Sequence, residues 1–488
     1  MSNTPPNLFR PPQPVADLAW QALLADLAGL PEGGVDSRLP RREQAAADYH
    51  WYSPVLLQRL AGKLPQGVVR PGTVAEVLQV AQACARHQVP LTVRGGGTGN
   101  YGQCVPLHGG LTLEITGLKQ ILQVDNGWAR VQAGALMGEI NDHLRLDPAS
   151  MAKYGAQQLR MWPSTERIAT LGGFIAGGHS GIGSMRHGIL ADPGNVRRLQ
   201  VVTVEDPPRL IDLHGADIQK VHHAYGSNGI LVEVDIATTP WLPWLHTIAL
   251  FDSYAEVLNF GLAAGRATVE GVIDLFQLSA VERRITPYYA GLKGRLRDKD
   301  AMFAQVSPDT AASYAALVTQ FGGELVVQGT ESELLAQGLP SVTECAYNHT
   351  TLEALKTDRS VTYLQVAYPA PLNAELVAAQ MQRFGDEVLM HHEFSRWISN
   401  PAGQLVAFAL PLVQYFDEDQ LEALKASFEA DGCHIFDPHT WVLEDGGMKQ
   451  VDEAQLAFKK LADPMGLMNP GKVRGWDEQV LGIQGGQL

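Results

Sequence analysis

The segment VRGGGTGNYGQ at residues 93–103 carries five glycines in eleven residues, directly after an apolar run. Glycine lacks a Cβ and reaches positive φ easily, so the backbone N–H groups of such a loop can surround a bound phosphate. Residues 97–102, GTGNYG, fit the dinucleotide pattern G-x-G-x-x-G. However, the next residues, QCVPLHGGLTLEI, predict no helix, which excludes a Rossmann site, and no G-K-[ST] is present for a Walker loop. The loop predicts either a phosphate-binding nest or a tight structural turn.

A second glycine cluster, PSTERIATLGGFIAGGHSGIGSMRHG, occupies residues 163–188 and precedes the strand-like run VRRLQVVTV. Two glycine-rich loops, each beside a strand of one domain, could wrap the two ends of an extended dinucleotide. The pair therefore favours a ligand site over two unrelated turns.

The segment TECAYNHTTLEALK at residues 343–356 places Tyr347, Asn348 and His349 before a predicted helix. We expect the helix N-cap at Thr350 or Thr351. Histidine is the side chain most often used as a general base, although helix capping beside a surface histidine explains the cluster equally well. Arg396 is a further candidate because its guanidinium can clamp a carboxylate. Other candidates for a role in catalysis are Tyr363, Gln365, His439 and Glu444.

The run VLMHHEFSRWISN at residues 388–400 also concentrates imidazole and carboxylate groups. On a strand His391 and Glu393 would share one face and His392 the other. A two-ligand metal site is conceivable there, but a solvated polar face is the favoured interpretation, so we expect no metal. Cysteine occurs four times without CxxC or zinc-finger spacing, which indicates reduced thiols rather than disulfides or a zinc site.

A chain of 488 residues is too long for one ordinary core, so two or more domains are expected. Its 37 basic and 52 acidic residues give a formal charge of −15, which repels nucleic acid and anionic membranes and favours a small-molecule partner. No apolar run reaches the roughly 20 residues that a membrane helix needs, and the N-terminus lacks a signal-peptide pattern. We therefore expect no membrane span and a cytoplasmic location.

The elements that must position these groups can be predicted locally. Residues 73–87 predict a helix with Thr73 as N-cap, followed by a strand at 90–93. Beyond the strongly β-branched run that ends at Pro240, glycine becomes sparse and strand-like runs alternate with helical ones. The predicted organisation is an N-terminal arm at 1–45, a first domain at 46–245, an α+β domain at 246–445 and a C-terminal segment at 446–488.

The order of these motifs resembles the FAD-binding domain of the FAD-linked oxidase superfamily, the vanillyl-alcohol oxidase or p-cresol methylhydroxylase (PCMH) type. The resemblance implies an α+β fold with a two-subdomain PCMH-type FAD-binding domain at 46–245, a cap or substrate domain at 246–445, and a C-terminal segment that returns to the FAD-binding domain. The TLGG spacing and the terminal NPGK look most like the glycolate oxidase and D-lactate dehydrogenase branch. The resemblance rests on Pro71 with the helix behind it, VRGGGTGN, PST, ATLGGFIAGGHSG, RHG, GSNGILVEVDI and DPMGLMNPGK.

The resemblance also implies which residues bind FAD. The pyrophosphate is assigned to Gly95, Gly96, Gly97, Thr98, Gly99 and Asn100. The flavin and ribityl chain are assigned to Pro163, Ser164, Thr165, Gly172, Gly173, Gly177 and Ser180. The adenine side is assigned to the backbone of Gly229, Ile230 and Val232, although plain core packing also explains the last two. The flavin pyrimidine is assigned to Asn469 and Lys472, for which an ordinary C-terminal turn is an alternative.

Many relatives tether the flavin through a histidine in the first glycine loop or a cysteine near the second. Residues 94–102 contain no histidine and residues 163–181 no cysteine, so non-covalent FAD is expected. Cys104 is interpreted as a small buried side chain and His179 as a loop residue near the flavin. The cap also departs from the metal motifs H-x-G-D-G-N-x-H and E-H-G of the D-lactate dehydrogenase branch, which weakens the inference of a lactate-like substrate.

The resemblance implies an FAD-dependent oxidoreductase, either an oxidase or a dehydrogenase. It would transfer a hydride from a small alcohol or 2-hydroxy acid to flavin N5 and pass electrons to oxygen, a quinone or a carrier protein. The catalytic base would come from the cap, with His349 as first choice and Tyr347 or Asn348 orienting it or the substrate. A reductase that uses a nicotinamide donor and a non-catalytic flavin-binding module are the alternatives.

Overall fold

The computed structural model describes residues 15–30, 34–292, 294–400 and 405–476. Its described residues form the α+β fold that the sequence predicts. The helices are α1 Asp17–Leu27, α2 Leu39–Ala45, α3 Pro54–Arg59, α4 Val74–His87, α5 Met137–Leu146, α6 Pro148–Tyr154, α7 Leu171–Gly177, α8 Ser184–His187, α9 Tyr254–Val269, α10 Ala311–Gln320, α11 Glu331–Ala336, α12 Asn348–Leu355, α13 Ala374–Phe384, α14 Glu418–Ala430 and α15 Glu453–Ala462. The strands are β1 Gly67–Val69, β2 Leu91–Arg94, β3 Leu111–Glu114, β4 Ile121–Asp125, β5 Trp128–Gln132, β6 Gln157–Leu159, β7 Val196–Val202, β8 Leu210–His214, β9 Ile230–Pro240, β10 Leu245–Phe251, β11 Leu275–Val281, β12 Asp300–Val306, β13 Glu324–Thr330, β14 Val361–Tyr363, β15 Val366–Ala367, β16 Val388–Leu389, β17 His391–Arg396, β18 Leu405–Ala409, β19 Leu412–Gln414 and β20 His434–Ile435.

Two sheets build the first half of the chain. A parallel sheet has the order β1-β3-β2, and an antiparallel sheet has the order β4-β5-β9-β7-β8, with β6 paired to β9. One apolar core joins them, to which α4 contributes Val77, β3 contributes Leu113 and β9 contributes Val232. This core fixes the end of β2, where the first glycine loop begins, close to the start of α7, where the second lies.

Helix α1 belongs to this first core. Trp20, Leu23 and Leu27 are buried in it, and the Asp26 carboxylate accepts hydrogen bonds from Arg86 Nη1 at 3.0 Å and His87 Nε2 at 2.9 Å. The sequence predicted an arm at 1–45, but α1 packs as an integral helix because its apolar residues face α4. Residues 1–14 of the predicted arm lie outside the described residues.

The second half is built on an antiparallel sheet with the order β13-β10-β12-β11-β17-β18-β15-β20. Strand β17 lies between β11 and β18, and its residues His391, His392 and Glu393 are all 0% exposed. The expected solvated polar face is therefore wrong. An interior strand of a sheet that is covered on both faces leaves no room for water at these side chains.

Two predicted helix starts have different outcomes. Helix α4 begins at Val74, and the Thr73 hydroxyl accepts the N–H of Glu76 at 3.2 Å, as its sequence predicts. Helix α12 begins at Asn348, two residues before the first N-cap candidate, and Tyr347 stands at the cap position with φ +50. The sequence could not show this start, because the group that accepts the Tyr347 N–H is the carboxylate of Glu393, on a distant strand.

After α15 the chain returns to the first half. The Leu91 N–H donates to the Leu467 carbonyl and the Asn469 N–H to the Leu91 carbonyl, each at 2.8 Å, so this segment runs beside β2. None of the described helices has the length and apolar character needed to cross a membrane.

Candidate functional site

A cavity of about 480 Å³ lies between the two glycine loops and the second half of the chain. Residues 95–101, 163–165 and much of 172–181 form one side of it, and residues from α12, β18 and the segment around Trp397 form the other. The volume falls in the range of small-molecule and cofactor sites. Both predicted loops and the predicted polar cluster therefore meet at one place.

The first glycine loop packs tightly against the residues before α7. A Cβ on Gly96 would collide with the Ile168 carbonyl, and one on Gly95 with the Thr170 hydroxyl. Gly97 has a φ of +67, which disfavours other residues. The close contact between the two loops therefore requires glycine at these positions, whether or not a ligand also approaches them.

Two glycines of α7 have a different environment. A Cβ added to Gly177 would meet only the Gln103 amide, nearest at 3.1 Å, and one added to Gly173 only the Thr170 hydroxyl at 2.9 Å. Both glycines line the cavity. Few protein atoms lie near the space that a Cβ would fill at these positions. Because glycine leaves this space empty, the backbone of α7 forms a cradle that is open to a ligand.

Most residues predicted to bind the cofactor lie in the cavity wall. They are Gly95, Gly96, Gly97, Thr98, Gly99, Asn100, Pro163, Ser164, Thr165, Gly172, Gly173, Gly177, Ser180 and Gly229.

The other four lie outside the wall. Ile230 and Val232 are fully buried in the first core, and Leu231, on the opposite face of β9, lines the cavity instead. Asn469 donates through Nδ2 to the carbonyls of Gln103 at 2.7 Å and Tyr225 at 2.5 Å. Lys472 donates through Nζ to the Gly102 carbonyl at 2.6 Å. These two residues hold the backbone that flanks the cavity.

The start of α12 forms the opposite wall. Tyr347, Asn348 and His349 all line the cavity. The Tyr347 hydroxyl donates to the Gly181 carbonyl at 2.8 Å, and Asn348 Nδ2 donates to Asn100 Oδ1 at 3.1 Å. Asn100 Nδ2 and Asn348 Oδ1 are buried without a hydrogen-bond partner. Because buried polar atoms are normally satisfied, this pair indicates a polar ligand between the two halves.

His349 is paired with a carboxylate. Its Nδ1 lies 3.3 Å from Glu344 Oε2, and the side chain of His349 is mostly buried whereas that of Glu344 is 43% exposed. This contact is close enough for an ion pair but lacks the geometry of a hydrogen bond, and the neighbouring imidazole holds the pKa of the Glu344 carboxyl below its usual value. No described residue hydrogen-bonds His349 Nε2. A carboxylate at Nδ1 favours the tautomer with its proton there, which leaves a lone pair on Nε2.

A buried carboxylate supports the start of α12. Glu393 Oε1 accepts the Tyr347 N–H at 2.6 Å and lies 3.0 Å from His391 Nε2, and Glu393 Oε2 accepts the Ser279 hydroxyl at 2.6 Å. Glu393 thus connects β11 and β17 to Tyr347, whose hydroxyl reaches the second glycine loop. The sequence placed Glu393 on one strand face with His391, but it held no signal for the contact with Tyr347.

Arg396 is not brought to the cavity wall. It follows the buried part of β17, and its Nη1 lies 3.5 Å from the Arg186 carbonyl. Successive side chains of an extended chain point to opposite sides, and the next residue, Trp397, lines the cavity instead. His439 and Tyr363 also lie outside the wall, and the His439 ring bonds to Ser53 Oγ at 2.7 Å and to the Tyr363 carbonyl at 2.9 Å.

Comparison with known proteins agrees with this geometry. A family described as "FAD binding domain" matches residues 65–206. The chain is 25% identical over 448 residues to the glycolate oxidase subunit GlcD of Bacillus subtilis, a match that covers 84% of this chain and 89% of that protein. It is 24% identical over 226 residues to D-lactate dehydrogenase of Archaeoglobus fulgidus, covering 44% of this chain and 48% of that protein. Among solved structures, alkyldihydroxyacetonephosphate synthase has a TM-score of 0.67 at 15% identity, with 96% of this chain and 89% of that chain covered.

The chain resembles the FAD-linked oxidase superfamily, through its FAD-binding domain and through hydroxy-acid oxidases and dehydrogenases. It is an FAD-dependent oxidoreductase with a PCMH-type FAD-binding domain, and FAD is its cofactor. The cavity fits that group: the glycines of α7 leave the cradle open, and the unpartnered atoms Asn100 Nδ2 and Asn348 Oδ1 offer polar contacts. The described residues contain no cluster of three or more His, Cys, Asp or Glu that could hold a metal ion.

Several residues of this FAD site were not predicted. Asp48, Tyr49 and Tyr52 line the cavity from a segment at the edge of the predicted arm, where only the aromatic run DYHWY was a signal. Cys104 also lines it, and so does His179, which the sequence analysis expected as a loop residue near the flavin. Burial raises the pKa of the Cys104 thiol to about 11 and lowers that of His179 to about 4, so both side chains are neutral near pH 7.

Proposed function

We propose that this FAD-dependent oxidoreductase oxidises a C–H bond that carries a hydroxyl group, on a small alcohol or a 2-hydroxy acid. The observation that carries the proposal is the His349–Glu344 pair, because its imidazole lines the same cavity as the two glycine loops. The names of the relatives, a glycolate oxidase subunit and a D-lactate dehydrogenase, also point to hydroxy acids.

In this proposal the first half of the chain binds FAD, and the second half supplies the base that takes the hydroxyl proton. Residues 95–100 would hold the pyrophosphate of FAD, and Gly173 and Gly177 would give the ring and ribityl chain close access to the backbone. FAD supplies a hydride acceptor. The donor loses the hydrogen and the electron pair of its C–H bond to that acceptor, and its hydroxyl proton passes to His349 Nε2, which leaves a carbonyl product. Glu344 would stabilise the imidazolium that forms, and Tyr347 would fix the start of α12 against Gly181.

We propose that FAD is held without a covalent bond. The thiol of Cys104 lies in the cavity wall, but at a pKa of about 11 it is almost wholly protonated near pH 7 and is a poor nucleophile. We expect acid precipitation of the purified protein to release all of its yellow colour into the supernatant. Flavin fluorescence that stays with the protein band on a denaturing gel would contradict the proposal and would point to His179 or a residue of the cap as the tether.

The reaction is tested by anaerobic mixing of the purified yellow protein with a panel of alcohols and 2-hydroxy acids. At least one of them is expected to bleach the oxidised flavin spectrum, with an equimolar amount of carbonyl product. Mixing the reduced protein with oxygen or a quinone analogue then identifies the class of acceptor. Reduction by NADPH, with no alcohol or hydroxy acid effective, would replace the proposal by the nicotinamide-dependent reductase.

A further inference from the structure

The charge of the cavity wall restricts the donor. Among the described residues that form the wall there is no lysine or arginine, and Asp48 is the carboxylate that lines it. Near the proposed base the carboxylate of Glu344 adds further negative charge, and Glu393 lies directly behind Tyr347. An incoming carboxylate would meet acidic neighbours and no fixed cation.

Four basic residues directly follow or precede wall residues in the chain, and each contacts groups outside the wall. Lys220, before Val221, pairs with Asp217 at 2.7 Å. Arg94, before Gly95, donates to the Ala47 carbonyl and lies 3.3 Å from Cys104 Sγ. Lys449, after Met448, donates to the Gln219 carbonyl at 2.5 Å and to the His222 carbonyl. Arg396, before Trp397, reaches toward the Arg186 carbonyl. None of these four side chains is itself a wall residue; the Arg94 guanidinium lies behind Gly97, in the first glycine loop and away from His349 on the cap side.

The cap side of the cavity offers rings and aliphatic groups instead. Tyr368, Trp397, Phe408 and Phe436 line it together with Val406 and Leu410. At its edge the unpartnered acceptor Asn348 Oδ1, beside the unpartnered donor Asn100 Nδ2, suits a group that both donates and accepts, such as a hydroxyl or an amide. Apolar walls with a few polar groups bind an uncharged body well.

We infer that the donor is an uncharged alcohol with an apolar, ring-sized body rather than the anion of a 2-hydroxy acid. This inference rests on the proposed function, since it specifies which of its two donor classes the site accepts. A carboxylate that enters the cavity loses its hydration and gains no cation, and unpaired burial of an ion is strongly unfavourable. The chain would in this respect depart from the relatives whose names contain glycolate and lactate.

The test compares ligands of one shape that differ in charge. Mandelate is compared with mandelamide and 1-phenylethanol, and lactate with lactamide, by titrating each into the oxidised holoprotein and following the flavin absorbance at a pH near 7. We expect mandelamide and 1-phenylethanol to bind at least tenfold more tightly than mandelate, because they carry no charge. We expect lactamide to bind more weakly than mandelamide, because it has no ring to pack against the aromatic side chains of the wall. The shift of the oxidised flavin spectrum is read in the dead time of anaerobic stopped-flow mixing, before the flavin bleaches, so binding is separated from turnover.

A charge added to the wall provides the matched variant. Val406 lines the cavity from β18, and Val406→Arg is expected to strengthen mandelate binding at least tenfold relative to Val406→Gln, a side chain of similar length without charge. The two variants should bind mandelamide with similar affinity. If both variants fail to fold, the ligand series on the unmodified holoprotein still decides the question.

The outcomes separate the inference from the proposed function. Mandelate or lactate binding as tightly as its amide would overturn the inference, while bleaching of the flavin by that acid would leave the oxidation of a C–H bond beside a hydroxyl intact. Tight binding of the uncharged ligands without bleaching by any alcohol or acid would instead support the charge preference and count against the proposed reaction.

Discussion

Replacing His349 with alanine is expected to slow flavin reduction by the donor by about 10²–10⁴-fold while FAD stays bound. The imidazole lies in the cavity wall with its Nε2 free of any described hydrogen-bond partner, so its loss removes the group that takes the hydroxyl proton. Stopped-flow reduction under anaerobic conditions measures this step directly. Photoreduction of the variant should match that of the unmodified protein, because light delivers electrons without a substrate base.

A variant of Glu344, the carboxylate beside His349, is expected to have a smaller effect than the loss of His349 itself. Glu344→Gln keeps a hydrogen-bonding group at Nδ1 but removes the charge that stabilises the imidazolium, and a loss of about tenfold is expected. His214→Ala, on the exposed end of β8, serves as the control and should reduce at the unmodified rate. If His349→Ala also reduces at that rate with the best donor, His349 has only a structural role at the start of α12.

The FAD side of the site could be predicted largely from the sequence because its signals are local. A run such as VRGGGTGN is readable without the fold, since glycine is required wherever backbone meets backbone or ligand, and the packing of Gly96 on Ile168 shows that requirement. The sequence could not show which face of β9 lies toward the cavity. The alternation of this strand puts Leu231 in the wall and Ile230 and Val232 in the core.

The cap side could be predicted only in part because its contacts join distant segments. The cluster Tyr347, Asn348 and His349 was visible as an unusual concentration of polar residues, but Glu344 was not assigned to His349. Arg396 has the right chemistry for a carboxylate clamp, yet one residue of strand register turns it from the cavity and brings in Trp397. Whether Arg396 or Trp397 is directed at the cavity depends on how β17 pairs with its neighbouring strands. Because these strands are far apart in sequence, their pairing leaves no local pattern.

Replacing Glu393 with leucine is expected to destabilise the protein strongly, by about 3–5 kcal/mol. Glu393 is fully buried, and leucine would leave the Tyr347 N–H, the Ser279 hydroxyl and the His391 Nε2 without their acceptor. In a domain of about 200 residues such a loss lowers the midpoint of thermal unfolding by roughly 10 °C. Glu429→Leu, on the exposed side of α14, is the control and should change the midpoint little.

The conservative variant separates packing from positioning. Glu393→Gln retains one acceptor oxygen, and its amide N–H can donate to the Ser279 oxygen, so a smaller cost of about 1–2 kcal/mol is expected. Tyr347 has a φ of +50, a conformation that costs about 1–3 kcal/mol and persists only when the surroundings hold it. Weakening that hold should let the start of α12 relax and move His349, so this variant should reduce more slowly at saturating donor while its FAD content is unchanged. A Glu393→Gln protein that reduces at the unmodified rate, or a Glu393→Leu protein as stable as Glu393→Gln, would show that the carboxylate does not set the position of this wall.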